Sequence, residues 1–202
     1  MGVRGQDDVE LVELAISGCE ASLAALIARH QTAIVHYAAQ ILARGGRRAD
    51  AEDVAQETFI RACRSLGEYR SSGPFGAWLF AIARRTCLNH LRTERRHARR
   101  TAVVADRTSG IPRPDDTAIA AEQRIRLWEV ARETLPENQF TALWLRYVEE
   151  MPLTDIGGVL RRSPAAVKLL LVRGRRRLEP VLAEFAPGRP LSEVRIIVEG
   201  AI

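Results

Sequence analysis

The sequence predicts an all-α chain: two small helical domains joined by a flexible linker. Three observations carry that expectation. Apolar residues recur at helical spacing through most of the 202 residues. Residues 96–117, which include Pro112 and Pro114, interrupt them with no apolar period at all. No strand pattern occurs, unless the closing run Val194-Arg-Ile-Ile-Val is one.

The first helix is expected over Val9–Ser17, with Val9, Val12 and Ile16 inward. The second covers Cys19–Arg44 on Leu23, Leu26, Ile27, Ile34, Ile41 and Leu42, and Gly45-Gly46 stops it. Asp50 reads as the N-cap of the third, with Asp53 where a capping box places an acid. Its inward stripe is Val54, Thr58, Ala62 and Leu66. A loop with Ser71-Ser72-Gly73-Pro74 leads into a fourth helix, Phe75–Arg95, which buries Phe75, Trp78, Leu79, Ile82, Ala83 and Thr86. The linker, about 20 residues, reaches roughly 65 Å when extended. Helices resume over Ala118–Thr134, Pro136–Glu149 and Thr154–Leu160, and a long one starts at Ser163. The expected domains are thus 1–95 and 118–185, with a tail at 186–202 to which the sequence assigns no role.

Composition narrows the class. With 47% hydrophobic and 27% charged residues, 14 Gly and 9 Pro, the chain is neither disordered nor collagen-like. No stretch approaches the roughly 18 apolar residues of a membrane span. Met1–Glu10 lacks the apolar core of a secretory signal, so a cytoplasmic location is expected. Cys19, Cys63 and Cys87 are odd in number, without a C-x-x-C, and read as buried thiols rather than a disulfide framework or zinc site. His30, His36, His90 and His97 form no ligand set, and no P-loop, G-x-S-x-G or H-E-x-x-H occurs. No cofactor, metal or catalytic residue is expected, and an enzyme is the class least favoured.

Charge says more. Thirty basic residues oppose twenty-five acidic ones, for a formal +5, and Lys168 is the single lysine. A GC-rich genome would favour arginine in any case, but the distribution is not explained that way. Acids collect at Asp50, Glu52, Asp53 and Glu57, bases at Arg84–Arg100 and Arg161–Arg177. Such separated blocks point to one surface for a protein and two for a polyanion.

In the second domain, Leu153–Leu160, the turn Arg161-Arg162-Ser163 and the helix opened by Pro164 make a helix-turn-helix. Val167, Leu170, Leu171, Gly174 and Leu178 face inward; Ala165, Lys168, Leu169, Val172, Arg173 and Arg176 face outward. A major groove admits one such helix, and arginine bridges guanine O6 and N7 there. Arg161, Arg162, Arg175 and Arg177 suit phosphates. A helical hairpin with a solvated basic face is the plainer reading. Yet no carboxylate lies between 157 and 178 to offset the arginines, a cost that a polyanion removes.

In the first domain, Asp53, Gln56 and Glu57 share one polar helix face, which in isolation is a solvated surface. Beyond the loop, Arg84, Arg85, Asn89 and Arg92 follow a cluster of Tyr69, Phe75, Trp78 and Phe80. Phe75 and Trp78 read mainly as core, Tyr69 as the most exposed. Aromatics beside arginines offer a platform for unstacked bases.

The run Asp50-Ala-Glu-Asp-Val-Ala-Gln-Glu-Thr-Phe-Ile-Arg-Ala, with Tyr69-Arg-Ser-Ser-Gly-Pro-Phe-Gly-Ala-Trp-Leu-Phe-Ala-Ile-Ala-Arg, resembles region 2 of a bacterial RNA polymerase sigma factor. Leu135-Pro-Glu-Asn-Gln, Leu153-Thr-Asp-Ile-Gly and Val167-Lys-Leu-Leu-Leu-Val-Arg-Gly-Arg-Arg-Arg-Leu are similar to region 4. Both regions and only a linker between them resemble the extracytoplasmic-function (ECF) class, over about residues 9–184.

The resemblance implies a dissociable promoter-specificity subunit whose partners are core RNA polymerase and promoter DNA. Asp50, Asp53, Gln56 and Glu57 would dock on the β′ clamp coiled coil, and the second domain would meet the β flap. Tyr69, Ser71, Ser72, Trp78, Arg84, Arg85, Asn89 and Arg92 would hold a flipped base of the single-stranded −10 element. Arg161, Arg162, Ser163, Ala165, Lys168, Leu169, Val172, Arg173 and Arg176 would read the double-stranded −35 element. An anti-sigma protein is implied by the class alone, and no membrane insertion is expected.

Three positions depart from the family pattern. Arg85 stands where many relatives carry Asn, Arg161 where Gly often ends the helix, and Leu169-Leu170 where Ser-Arg is commoner. Leu169 beside Val172 suits either thymine methyls or a protein partner. A freestanding helix-turn-helix regulator is the first alternative. It leaves the acidic face and the single-strand pocket without purpose. A helical adaptor that binds only proteins is the second, and it predicts little salt-dependent affinity for DNA.

Overall fold

Helical periodicity becomes eight α-helices in a computed structural model that describes residues 7–69, 73–100 and 117–185. They are α1 (Asp8–Ile16), α2 (Glu20–Ala43), α3 (Ala51–Arg64), α4 (Phe75–Arg100), α5 (Thr117–Thr134), α6 (Glu137–Tyr147), α7 (Leu153–Leu160) and α8 (Pro164–Phe185). Short 3-10 turns at Arg48–Asp50 and Leu66–Glu68 flank α3. Among the described residues there is no strand; the Val194–Val198 run lies outside them. The chain divides into two compact units, Met1–Val103 and Val104–Ile202.

In the first unit α1–α4 share one core. Leu11, Leu26, Ile34, Tyr37, Ile41, Leu42 and Leu79 are fully buried or nearly so, each burial stabilising by about 1.5–3 kcal/mol. Tyr37 and Phe80 meet edge-on at 5.4 Å. The expected α3 stripe is all buried: Val54, Thr58, Ala62 and Leu66. Buried Thr58 and Thr86 satisfy their hydroxyls on the Val54 and Ile82 carbonyls, four residues back.

Several local expectations are corrected. In α1 the core residues are Leu11 and Val12, while Val9 and Ile16 are exposed. The stripe that meets α2 is therefore the neighbouring one. Asp50 sits at the N-cap position but does not cap. The 3-10 turn before it gives Asp50 a ψ of 6°, and its Oδ2 lies 2.7 Å from Arg47 Nε and 2.6 Å from His90 Nε2 of α4. Helix α4 runs to Arg100, five residues into the expected linker. These five residues are three Arg, one His and one Ala, and Arg and Ala are good helix formers, so propensity continues the helix without an apolar period. The rest of the linker lies outside the described residues, as does the tail from residue 186. Of the three cysteines only Cys87 is buried; Cys19 is half-buried and Cys63 exposed.

The second unit packs α5–α8 around Trp128, Phe140 and Trp144, whose ring centroids lie 5.0–6.1 Å apart. At Gly174 a Cβ would stand 2.9 Å from Leu143 Cδ1, so glycine lets α8 close on α6. After α6, half-buried Glu149 accepts the Trp144 indole N–H at 3.0 Å.

These two carboxylates respond oppositely to acid. Burial raises the Asp50 carboxyl, but hydrogen bonds from His90 and Arg47 outweigh it and hold the group below its ordinary value. Burial pushes Glu149 up, only partly offset by the Trp144 bond. A depressed group stabilises fully above its unfolded value, about 3.9 for Asp, and that contribution fades as pH falls through the folded value. A raised acid costs stability at neutral pH and recovers it as pH falls through the folded value towards about 4.3 for Glu. In thermal unfolding across pH, Glu149→Gln should raise Tm at pH 7 and lose that advantage on acidification. Asp50→Asn should lower Tm at pH 7 and converge on the parent in strong acid.

Candidate functional site

Three surfaces carry the chemistry. The first is α3. Asp53 and Gln56 are exposed on it and Glu57 is half-buried, its Oε1 2.6 Å from Arg61 Nε one turn on. Asp50, expected on this face, is instead engaged by Arg47 and His90. Beside the face, α2 and α3 bound an open groove of about 640 Å³, with Ile27, Ala55, Phe59, Ile60 and Cys63 along it and Glu52 and Gln56 at its rim. Sequence reasoning missed this groove. Its signal was there: Phe59 and Ile60 are apolar yet lie off the buried Val54/Thr58/Ala62 stripe. Ile60 is 39% exposed. Burial among these residues raises the Cys63 thiol, which keeps it protonated at neutral pH.

The second surface is the head of α4. Tyr69 packs against Phe75 and Trp78, with ring centroids 5.8 and 5.4 Å away. Its hydroxyl donates to the Gly73 carbonyl at 2.6 Å, which fixes the ring across the loop. Burial, then the negative charge of Asp8, raises the Tyr69 hydroxyl. Tyr69 is half-buried, less open than expected, while Trp78, expected in the buried stripe, is only half-buried. Phe75 reaches further in, its ring 5.4 Å from that of His30, which pairs with Asp8 of α1 at 2.7 Å. Down the helix, exposed Arg85, Asn89 and Arg92 follow Trp78 at helical spacing on one face. Arg84 is half-buried beside them. Ser71 and Ser72 lie outside the described residues.

The third surface is α8. Helix α7 ends at Arg161, which adopts φ 53°, ψ 51°, so the left-handed end that favours glycine is occupied by arginine. The Arg162 N–H donates back to the Gly157 carbonyl at 2.9 Å. A Cβ on Gly157 would lie 2.6 Å from the Arg162 carbonyl oxygen, so only glycine permits this approach. Ser163 Oγ then accepts the Ala166 N–H at 3.2 Å, and Pro164 opens α8 as expected. Val167, Leu171, Gly174 and Leu178 are buried and Leu170 half-buried. Arg161, Arg162, Ser163, Ala165, Lys168, Leu169, Arg173 and Arg176 are exposed and Val172 half-buried. No metal-ligand cluster occurs among the described residues.

Comparison with known proteins places both units. Sigma-70 region 2 matches residues 26–97, and a sigma-70 region 4 family matches 127–178. The chain is thus a sigma factor in class, an initiation factor and not an enzyme. It is 33% identical over 183 residues to the ECF RNA polymerase sigma factor ShbA of Streptomyces griseus, covering 86% of this chain and 94% of that one. It is 29% identical to BldN of Streptomyces coelicolor, over 88% of this chain and 67% of the relative. RNA polymerase sigma-H factor of Pseudomonas aeruginosa is also 29% identical, over 89% and 97%. The chain belongs to the ECF family of RNA polymerase sigma factors. Its fold is that of CnrH, solved with the cytosolic domain of CnrY, at a TM-score of 0.65 and 24% identity over 89% of this chain and 99% of that one. Family membership decides for the sigma factor over the freestanding regulator and the adaptor. No described helix is long and apolar enough to cross a membrane.

The turn makes two opposed expectations. Gly157→Ala forces the turn apart and should cost about 1–3 kcal/mol. Arg161→Gly relieves the left-handed backbone and should gain up to about 1 kcal/mol. Denaturant unfolding of the two variants against the parent checks both signs.

Proposed function

We propose that the three surfaces divide the work of initiation. Asp53, Gln56 and Glu57, with the apolar groove beside them, dock on core polymerase at the β′ clamp coiled coil, while the second unit meets the β flap. Tyr69 and Trp78, backed by buried Phe75, form the wall against which a base flipped from the melted −10 strand stacks. Arg84, Arg85, Asn89 and Arg92 follow its backbone and edge, and Ser71 and Ser72 complete the pocket. The α8 face enters the −35 major groove, with Arg161 and Arg162 on phosphates. Residues 1–95 and 118–185 act as the two modules and 96–117 as the tether between them. The working location is the cytoplasm, where core polymerase and promoter DNA are.

The observation that carries this reading is the sorting of charge. Exposed carboxylates lie on α3, exposed cations on α4 and α8, and no carboxylate falls between 157 and 178. CnrH was solved in complex with the cytosolic domain of CnrY, and the sigma factor RpoE of Bartonella quintana in complex with the anti-sigma factor NepR. An anti-sigma protein that covers α3 or α8 is accordingly part of the proposal.

In vitro transcription with core polymerase on a genomic template library should yield start sites absent without this chain. The charge-reversed pair Asp53→Lys/Glu57→Lys should capture core at least about tenfold more weakly and lose those starts. Normal capture and initiation by that variant would overturn the docking assignment. Promoter affinity should fall steeply with salt, and Arg162→Gln should reduce the logarithmic slope by about one.

A further inference from the structure

Leu169 is 47% exposed on a helix face otherwise made for a polyanion. It lies one turn beyond exposed Ala165 and one turn before half-buried Val172, so three apolar side chains run down the middle of the outward face. Lys168, Arg173 and Arg176 border that strip, all exposed. The inward positions Val167, Leu171 and Leu178 are buried, so Leu169 is not part of the core. Two explanations compete for it. A protein partner would find one leucine and parts of two smaller residues ringed by like charge, well short of the few hundred Å² that marks an apolar protein interface. A DNA groove satisfies the cationic border and also offers an apolar group at base level. In the major groove that group is the C5 methyl of thymine. Leucine has no donor or acceptor, so it distinguishes base edges there by that methyl alone.

We propose that Leu169, between Ala165 and Val172, makes −35 recognition by this chain depend on a pyrimidine C5 methyl group. The inference rests on the reading of α8 as the helix that enters the −35 groove. Thymine is the ordinary source of the methyl; 5-methylcytosine presents the same group at the same depth and would be read alike.

The experiment uses holoenzyme assembled from the full chain and core polymerase, on a promoter recovered by start-site mapping. Each −35 thymine is replaced singly by deoxyuridine, and each −35 cytosine by 5-methylcytosine, so pairing is untouched and only the methyl changes. At one or two positions, loss of the methyl should weaken binding about fourfold, the value of one buried methyl. Gain of the methyl on a cytosine placed there should strengthen binding by a similar factor. Leu169→Ser should bind thymine and uracil templates equally, while Leu169→Met should keep the preference. Leu169 is exposed, so neither change should move Tm.

Indifference of the parent to every uracil substitution overturns the proposal, as does an undiminished preference in Leu169→Ser. Weaker capture of core by Leu169→Ser, with no methyl effect, assigns the residue to a protein contact and also overturns it. Lys168→Ala and Arg173→Ala separate the underlying reading. If they leave promoter binding unchanged, α8 is not in the groove at all; if they weaken it while uracil has no effect, only the methyl contact falls.

Discussion

Helices α7 and α8 meet where no extra side-chain atom fits, and the reading surface follows from that contact. Gly157 presents bare backbone to the Arg162 carbonyl, 2.6 Å from where a Cβ would stand, and the Arg162 N–H returns a hydrogen bond to the Gly157 carbonyl. Between them Arg161 takes the left-handed conformation that reverses the chain in a single residue. The turn is short enough for Ser163 to cap α8 at once, and this start sets the rotation of the helix. Rotation decides which residues look outward. A turn one residue longer would carry Leu169 and Arg173 about 100° around the axis, towards the core.

Polar side-chain contacts play the corresponding role in the first unit. Asp8 joins α1 to His30 of α2, and Asp50 joins the start of α3 to His90 of α4, with Arg47 reaching Glu94. Each ties together elements far apart in sequence; the two carboxylate–histidine contacts are part-buried, while the Arg47–Glu94 pair is more open to screening by salt. The Asp8–His30 pair sits behind Phe75, and Phe75 supports Tyr69 and Trp78. The aromatic wall thus has a hydrogen-bonded brace from the N-terminal helix. Asp50 is tied to two other elements of the fold, whereas Asp53 is exposed and Glu57 pairs only with Arg61 one turn along its own helix, so Asp53 and Glu57, rather than Asp50, define the outward acidic face.

Most of the architecture was legible because it rests on apolar period. The α3 stripe, the inward face of α8, and the start of α8 at Ser163-Pro164 all lie where the sequence placed them. What the sequence hid was of three kinds. The last turns of α4 have no apolar side, so nothing periodic marks them. The carboxylate of Asp50 had two local choices, its own helix end or His90 forty residues away, and only the packed fold brings the second within reach. The groove between α2 and α3 is a property of two helices at once: Phe59 and Ile60 lack neighbours on that side, a fact no single helix reveals. Of the candidate residues, those on α8 emerge together on one face, and those on α4 align below Trp78. Tyr69 is held closer to the protein than its loop position suggested, because its hydroxyl finds the Gly73 carbonyl.

Lys168 stands exposed near the middle of the α8 face, the one lysine among thirty cations. Every other cation in the sequence is a guanidinium, which stays charged at any workable pH and does not react with acylating reagents. Apart from the chain's own amino terminus, a mild acylating agent would therefore find a single amine, and that amine points away from the core. One reagent and one mass measurement would then report, in any mixture, whether the outward side of α8 is covered or bare.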